Sequence, residues 1–349
     1  MRKKMIAVLF GGCSDEYDVS LQSASSIIEN IDSEKYRIIM VGITRQGEWK
    51  RYDGGIREIQ NDSWMNHASC VPAIISPDRK TRGILVFEGG RIEIVRIDVA
   101  FPVLHGRNGE DGRVQGLLEM AGISYIGSGM LSSAMCMDKD IAHRLVSNAG
   151  IKTPSSMIID TELSDEELEK RVLKFKYPLF IKPSNGGSSI GITRVSDRCE
   201  LKDAVYDALR YDRKVIIEEG VDGFEVGCAI LGNGSPMIGE VDEIELSQGF
   251  FDNIEKYTLK SSRIHVPARI DTDTTGRIKE TAVKIYRILG CKGYARVDMF
   301  LTKGGEIVFN EVNTIPGFTS HSRYPNMLKG IGMTFPQIVD ELIRSATQE

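Results

Sequence analysis

Two short strand-like runs joined by Gly304-Gly305 constrain this chain more than any other stretch. In YARVDMFLTKGGEIVFNEVNTIPGFTSHS (residues 294–322), Tyr294, Arg296, Asp298 and Phe300 share one side of a predicted strand, and Ala295, Val297, Met299 and Leu301 share the other. The second side is wholly apolar and must face a core. Glu306–Asn313 reads as the partner strand, with the paired glycines as a two-residue hairpin turn. With Lys303 opposite Glu306, Asp298 falls opposite Glu311 and Arg296 opposite Asn313. Side chains so opposed have Cβ atoms roughly 4.5–5.5 Å apart, and like charges at that spacing destabilise a sheet. Two carboxylates beside an asparagine therefore call for a cation. All-oxygen ligands of this kind suit Mg²⁺, which takes one or two carboxylates and fills its shell with water and nucleotide phosphates. The competing reading is a solvated hairpin whose acids repel into water. Arg296 and Asn313 on the same face, and the glycine-containing turn that follows at once, weigh against it.

A chain of 349 residues can bury ample core and should hold two or three domains. Its formal charge of −5 is spread over interspersed acids and bases, which excludes a nucleic-acid or anionic-membrane surface. No apolar run approaches the ~20 residues of a membrane span. The opening MRKKMIAVLF has a basic flank, but its apolar run is shorter than the roughly 7–15 residues of a signal sequence. A first strand, Met5–Phe10, accounts for it. The cysteines (Cys13, Cys70, Cys136, Cys199, Cys228, Cys291) show no CxxC and no Cys/His cluster, as expected of free thiols in a reducing cytoplasm.

In chain order, strand Met5–Phe10, the Gly11-Gly12 turn and a helix from about Asp18 to Ile31 open a doubly wound α/β domain. The turn lacks the GxGxxG dinucleotide fingerprint. A second strand, Tyr36–Ile43, follows; residues 50–95 are less regular, with Trp64 and the run IEIVRIDVAF suggesting added strands. Strand Val99–Leu104 emerges into His105–Gly112, a glycine- and charge-rich loop placed where such folds bind ligands; a plain surface loop is the alternative. The segment from Gly127 to Gly150 reads as a helix with Asp138, Lys139 and Asp140 near its middle, where Lys139 alone would be a solvated residue. Strand Tyr177–Ile181 delivers Lys182 to PSNGGSSIG, whose backbone N–H groups can wrap phosphate oxygens. It is not a Walker loop, because the lysine precedes the glycines. Val215–Glu219 is a strand ending in paired acids, Val226–Leu231 another strand, and Ser247–Arg263 a long aperiodic loop of the kind that serves as a lid. A helix at Asp273–Leu289 precedes the hairpin, and Phe335–Ala346 reads as a closing amphipathic helix.

GGCSDEYDVSL, LHGRNGEDGRVQG, MDK, IKPSNGGSSIG, GYARVDMF and NEVNTIPGFTSHS, in this order over nearly the whole chain, resemble the ATP-grasp D-alanine:D-alanine ligase family. The resemblance implies a three-domain α/β ATP-grasp fold: an N-terminal doubly wound (pre-ATP-grasp) substrate domain (1–127), a central ATP-grasp domain (128–217) and a C-terminal ATP-grasp domain (218–349) with a lid at 247–263. It implies phosphorylation of the first D-alanine's carboxylate by ATP. The second substrate's amine then attacks the acyl phosphate, releasing phosphate and ADP. Carried over residue by residue, Lys139 and Lys182 match the lysines on the ATP phosphates, Glu218 the adenine-side acid and Glu225 the ribose ligand. Ser188, Ser189, Glu219, Val221 and Lys256 complete the ATP set. Asp298, Glu311 and Asn313 match the ligands of two Mg²⁺ ions, with Mn²⁺ as a substitute. Arg296 and the Gly317 amide match the groups that stabilise the tetrahedral intermediate. Glu16 matches the anchor for the first D-alanine's ammonium, with His105 nearby and Ser188 and Tyr257 completing a hydrogen-bonded set that closes the lid. Ser322 matches the residue that binds the second substrate's carboxylate. Family members are often dimers, so a homodimer is implied; neither nucleic acid nor membrane is.

Two departures bear on the second substrate. D-Ala–D-Ala-forming members usually carry an aliphatic residue after the matching serine, whereas this chain has Arg323, as in the D-alanine:D-serine ligases of vancomycin resistance. A guanidinium offers five donors and can hydrogen-bond a serine hydroxyl, which a leucine would leave without a partner. Arg323 read as a rim residue pairing with a nearby acid is the alternative. Lys256-Tyr257, absent from D-lactate-adding members, points to an amine nucleophile, while Phe251 and Asn253 stand where D-Ala–D-Ala enzymes often carry tyrosines. The expectation is therefore an ATP-dependent D-alanine:D-serine ligase supplying peptidoglycan precursors. Its rivals are a housekeeping D-alanine:D-alanine ligase and, in a different class, a nucleotide-binding regulator without chemistry.

Overall fold

Buried apolar runs alternating with amphipathic helices build three sheets in the computed structural model, which describes residues 2–160, 163–188, 190–246 and 262–347. The first sheet holds β1 (Lys4–Gly11), β2 (Tyr36–Ile43), β3 (Trp49–Tyr52), β4 (Val71–Ile75), β5 (Gly83–Glu88), β6 (Arg91–Arg96), β7 (Val99–Pro102) and β8 (Ser124–Tyr125). They lie in the order β6-β5-β4-β3-β2-β1-β7-β8. Strands β2, β1, β7 and β8 are parallel, and β3 to β6 extend them as antiparallel neighbours. Ile6, Val8 and Phe10 of β1 enter the core shared with α1 (Tyr17–Asn30), while Ala7 and Leu9 enter the opposite core. Coverage on both faces is why this run reads as continuously apolar. The irregular stretch 50–95 supplies α2 (Ile56–Gln60) and the antiparallel strands. Trp64 does not form a strand; it sits in a 3₁₀ turn, buried, with its indole N–H donating to the Tyr17 hydroxyl at 3.0 Å.

Beyond α3 (Arg113–Ala121), the single helix expected through Asp138–Asp140 is two helices, α4 (Met130–Met137) and α5 (Lys139–Asn148). Asp138 leaves helical geometry (φ −86°, ψ 101°), and its carboxylate accepts the Ile141 N–H at 3.2 Å. A side-chain N-cap of this kind starts a new helix at the next residue. Lys139 is therefore the first residue of α5, not a mid-helix residue on a solvated face.

The second sheet is antiparallel, with β9 (Ser156–Ile159), β10 (Leu179–Pro183), β11 (Thr193–Val195) and β12 (Val215–Glu219) in the order β11-β10-β12-β9. Helices α6 (Asp165–Val172) and α7 (Leu201–Ala208) pack on it. The third sheet is also antiparallel: β13 (Gly223–Leu231), β14 (Met237–Leu246), β15 (Ser262–His265), β16 (Tyr294–Thr302) and β17 (Ile307–Asn313), ordered β15-β14-β13-β16-β17. Its apolar side, including Ala295, Val297 and Met299, packs with α5 and α8 (Thr272–Ile288).

The β16–β17 hairpin reaches the expected pairing by an unexpected route. Its turn is one residue longer than the glycine pair suggests: Thr302 N–H donates to Glu306 O at 2.9 Å, and Gly305 takes a left-handed conformation (φ +76°). That pattern is a three-residue turn, and it would place the acids out of line. A bulge at Asn310 restores them: Met299 pairs Phe309, but Asp298 pairs Glu311 and Arg296 pairs Asn313.

Helices α9 (Arg323–Gly330) and α10 (Phe335–Ala346) complete the chain. Ile338, Val339, Leu342 and Ile343 of α10 join the core of the first sheet, together with Tyr294 and Phe318. Asp340 accepts from Tyr36 Oη at 3.0 Å and Lys35 Nζ at 3.1 Å. This packing brings the loop after β17 against the loop after β7. Among the described residues, no helix is long and apolar enough to cross a membrane.

Candidate active site

Three groups of residues converge where the sheets meet. The first lines the second sheet. Lys139, at the start of α5, is buried; its Nζ donates to Gly186 O at 2.6 Å and lies 3.5 Å from Glu311 Oε2. Lys182, on β10, lies 2.6 Å from Glu218 Oε2 on the neighbouring β12. Burial alone would raise the Glu218 carboxyl, but Lys182, with His143 and Lys139, holds it below the usual carboxylate range. Glu219 turns the other way and accepts the Lys176 N–H at 2.8 Å, and Val221 is half-buried between β12 and β13. Two lysines thus stand beside a glycine-rich loop, as phosphate binding requires.

The second group is the hairpin and what faces it. Asp298, 1% exposed, receives Arg296 Nε at 2.8 and 3.0 Å and Nη2 at 2.7 Å, and Asn313 Nδ2 at 2.8 Å. Arg323 is no rim residue: it is 7% exposed and grips Asp242 through Nε and Nη2 at 2.7 and 2.8 Å. Its Nη1 reaches Glu225 at 2.6 Å, and Nη2 lies 3.3 Å from Asp298. Glu225, expected on a ribose, is thus tied to the arginine. Gly227 on β13 makes room for the cluster, since a Cβ there would stand 2.4 Å from Arg323 Nη2 and 2.9 Å from Asp298 Oδ1. Burial opposes the charge on both arginines, and the acids more than offset it, Asp298 for Arg296 and Asp242 for Arg323. Among the described residues, no three His, Cys, Asp or Glu side chains converge on one point. A divalent ion here would rest on Asp298, Glu311 and the Asn313 amide, an oxygen set short of a full shell. Mg²⁺ accepts such a set when phosphate and water supply the rest.

The third group belongs to the first sheet. Glu16, at the start of α1, receives the Ser188 hydroxyl from the glycine-rich loop. Backbone closes around it: a Cβ on Gly187 or Gly106 would stand 2.4 or 2.5 Å from Glu16 Oε2. His105 is buried, with Nδ1 2.8 Å from Ile315 O and Nε2 3.1 Å from Ser23 Oγ; burial drops its pKa to about 4, so the ring is neutral. Ser322 caps the turn before α9, its Oγ accepting the Thr319 N–H at 2.9 Å, and a Cβ on Gly317 would lie 3.2 Å from that Oγ. Ser189, Lys256, Tyr257 and nearly all of the expected lid, Phe251 and Asn253 included, lie outside the described residues.

Three residues of the site carried no sequence-level assignment. Asp242, fully buried on β14, was visible only as an acid within VDEIEL, and its arginine partner is 81 positions away. Glu110 accepts the Gly106 N–H and the Ile315 N–H, each at 2.9 Å, and so joins the loops of the first and third sheets. Burial, reinforced by the Glu16 charge, raises its pKa to about 8. His143 lies under the second group, between Glu218 and Asn310. One face of the site can thus neutralise polyphosphate, and another can hold an ammonium beside Glu16.

Comparison with known proteins identifies the family. Residues 5–128 match the family model described as D-ala D-ala ligase N-terminus, and residues 145–344 match D-ala D-ala ligase C-terminus. A crystal structure of the VanG D-Ala:D-Ser ligase from Enterococcus faecalis superposes with a TM-score of 0.91 at 54% identity, over 99% of this chain and 100% of that one. The Vancomycin B-type resistance protein VanB of Enterococcus faecalis is 48% identical over the full length of both chains. A D-alanine–D-alanine ligase of Thermoanaerobacter sp. is 44% identical, over 100% of this chain and 98% of its own.

Proposed function

We propose, from the premise that this chain belongs to the D-alanine–D-alanine ligase family, that it joins D-alanine to D-serine at the expense of ATP. The family has the three-domain ATP-grasp fold; its members are ATP-dependent acid–D-amino-acid ligases of cell-wall synthesis, generally using Mg²⁺. In our reading the Glu16 carboxylate holds the first D-alanine's ammonium, and the Ser188 hydroxyl fixes the carboxylate's rotamer. Lys139 leaves Gly186 O, and Lys182 leaves Glu218, to meet the ATP phosphates. Mg²⁺ ions, two in our reading, held by Asp298, Glu311 and Asn313 would neutralise the transferring phosphoryl oxygens. Arg296 and the Gly317 amide face the oxyanion that forms when the second amine attacks, and water exclusion over this step falls to the lid segment.

The observation that carries the serine assignment is Arg323, the residue after Ser322, buried in a polar wall with Asp242 and Glu225. With the second substrate's carboxylate on Ser322, its side chain would meet charged donors and acceptors, where a hydroxyl finds a partner and a methyl group does not. The VanG D-Ala:D-Ser ligase, similar over the full length, supports the same choice. The test is product formation with D-alanine, D-serine and D-lactate in competition at neutral pH, where D-Ala–D-Ser should dominate. Equal or better use of D-alanine would reject the assignment. It would favour the housekeeping reading, which the saturation of Arg323 by three acids supports. Failure to release ADP with both amino acids present would point instead to a non-catalytic nucleotide-binding protein.

A further inference from the structure

His143 on α5 belongs to none of the motifs that carry the ligase reading, yet it touches two parts of the site at once. It is 4% exposed. Its Nε2 donates to Asn310 O at 2.8 Å, and its ring stands edge-on to Phe309, with centroids 5.5 Å apart. Asn310 is the extra residue of the β17 bulge. An extra residue in a bulge loses its place in the ladder, and a buried carbonyl left so is costly. The imidazole supplies the missing donor. The other ring nitrogen, Nδ1, faces Glu218 Oε1 at 3.6 Å, and neither of these buried atoms has a hydrogen-bond partner. The second oxygen of Glu218 is held by Lys182.

We propose that His143 is a positioning residue for the metal and nucleotide half of the site. By holding the bulge it keeps Asp298 in line with Glu311. By abutting Glu218 it fixes the wall against which Lys182 rests until it turns to a phosphate. No part of this arrangement reaches Glu16, His105 or Ser322, so loss of the imidazole should separate nucleotide and metal binding from D-alanine binding. This inference rests on the ATP-dependent ligase reading.

The test uses the full-length protein and binding as well as turnover. His143→Phe keeps the ring against Phe309 and removes both nitrogens; His143→Gln keeps a donor able to reach Asn310 O. In calorimetry with Mn²⁺ and ATP and no amino acid, the phenylalanine variant should bind about tenfold more weakly, the worth of one buried hydrogen bond. The glutamine variant should recover most of that loss, while KM for the first D-alanine changes by less than about twofold in either variant. Unchanged binding in a folded His143→Phe protein would overturn the proposal. So would equal rises in every KM with no recovery by glutamine, since that is a general structural loss. Should neither variant fold, ¹⁵N-histidine spectra of the wild type decide. The signal of the hydrogen-bonded His143 ring should move on adding Mg²⁺ with a non-hydrolysable ATP analogue and stay still with D-alanine alone; a signal unmoved by nucleotide overturns the proposal. Wild-type protein that binds no nucleotide would instead defeat the ligase reading beneath it.

Discussion

The hairpin and the Glu16 corner face the same problem, carboxylates out of water, and solve it differently. At the hairpin, Asp298 and Asp242 are almost wholly buried and remain balanced because Arg296 and Arg323 chelate them. Near Glu16, among the described residues, Glu110 has no guanidinium bonded to it and receives two backbone N–H groups, and burial pushes its pKa to about 8. One region keeps its charges and pairs them; the other sheds a charge by holding a proton. The lesson is that buried acids can be kept in order by internal cations where guanidinium groups reach them, and by a retained proton where only backbone N–H groups do.

Breaking the first arrangement should produce the largest effects. Asp298→Asn removes both the negative charge proposed to hold the metal and the counter-charge of Arg296. Turnover measured by ADP release at saturating Mg²⁺ should fall by at least about 10²-fold. Denaturant melts should show a loss of about 3–5 kcal/mol, the cost of breaking a buried pair. Near-wild-type turnover at limiting Mg²⁺ would remove Asp298 from the metal site. Next comes Arg323→Leu. It leaves Asp242 and Glu225 facing each other without a cation, so a similar ~3 kcal/mol loss is expected, and adding Asp242→Leu should restore much of it. The kcat/KM ratio for D-serine over D-alanine should drop by about tenfold, on the order of one buried hydrogen bond. A ratio that stays put would show that the discrimination lies elsewhere.

The Glu16 corner is tested more gently. Because the folded-state pKa of Glu110 is raised, the folded protein keeps a proton that the unfolded chain gives up between the ordinary carboxylate range and about pH 8. Its contribution is therefore present at low pH and is lost as pH rises through that window. Glu110→Gln, whose NH2 cannot accept one of the two backbone N–H groups, should lie below wild type at pH 5 but lose the slope, so that its Tm gains about 2–4 °C on wild type between pH 5 and pH 8. Identical pH profiles for the two proteins would refute a protonated Glu110. Smallest of all, Gly305→Ala places a side chain at φ +76° and should cost about 1–2 kcal/mol. Activity in the folded fraction should not change, since the bulge at Asn310, and not the turn, aligns the acids; a loss of activity would show that the turn sets the register.

What could be read from residues alone follows the range of the interactions. A continuous apolar run exposed β1 and period-two alternation exposed β16, with β17 read as its strand-like partner, because a strand's burial is written along its own residues. The facing of Asp298 and Glu311 was legible, although two one-residue offsets, a longer turn and a bulge, cancel to produce it. The helix break at Asp138 was not, since aspartate in mid-run looks like any exposed helical acid until its carboxylate caps Ile141. Arg323 was legible as unusual, but its burial was not, because Asp242 and Glu225 lie far away in sequence. His143 and Glu110 escaped for the same reason: each binds backbone far off in sequence, Asn310 in the β17 bulge and Ile315 after that strand, and backbone carries no sequence signal.

Helix α10 folds back to finish the interior of a sheet whose strands were made long before it. A ribosome delivers β1 to β8 early, yet Ile6, Val8 and Phe10 share their interior with Ile338, Val339 and Leu342. The amino-terminal layer therefore waits, incompletely sealed, until nearly all the rest has been synthesised. Helix α10 is in that sense a clasp, fastened long after the sheet it closes.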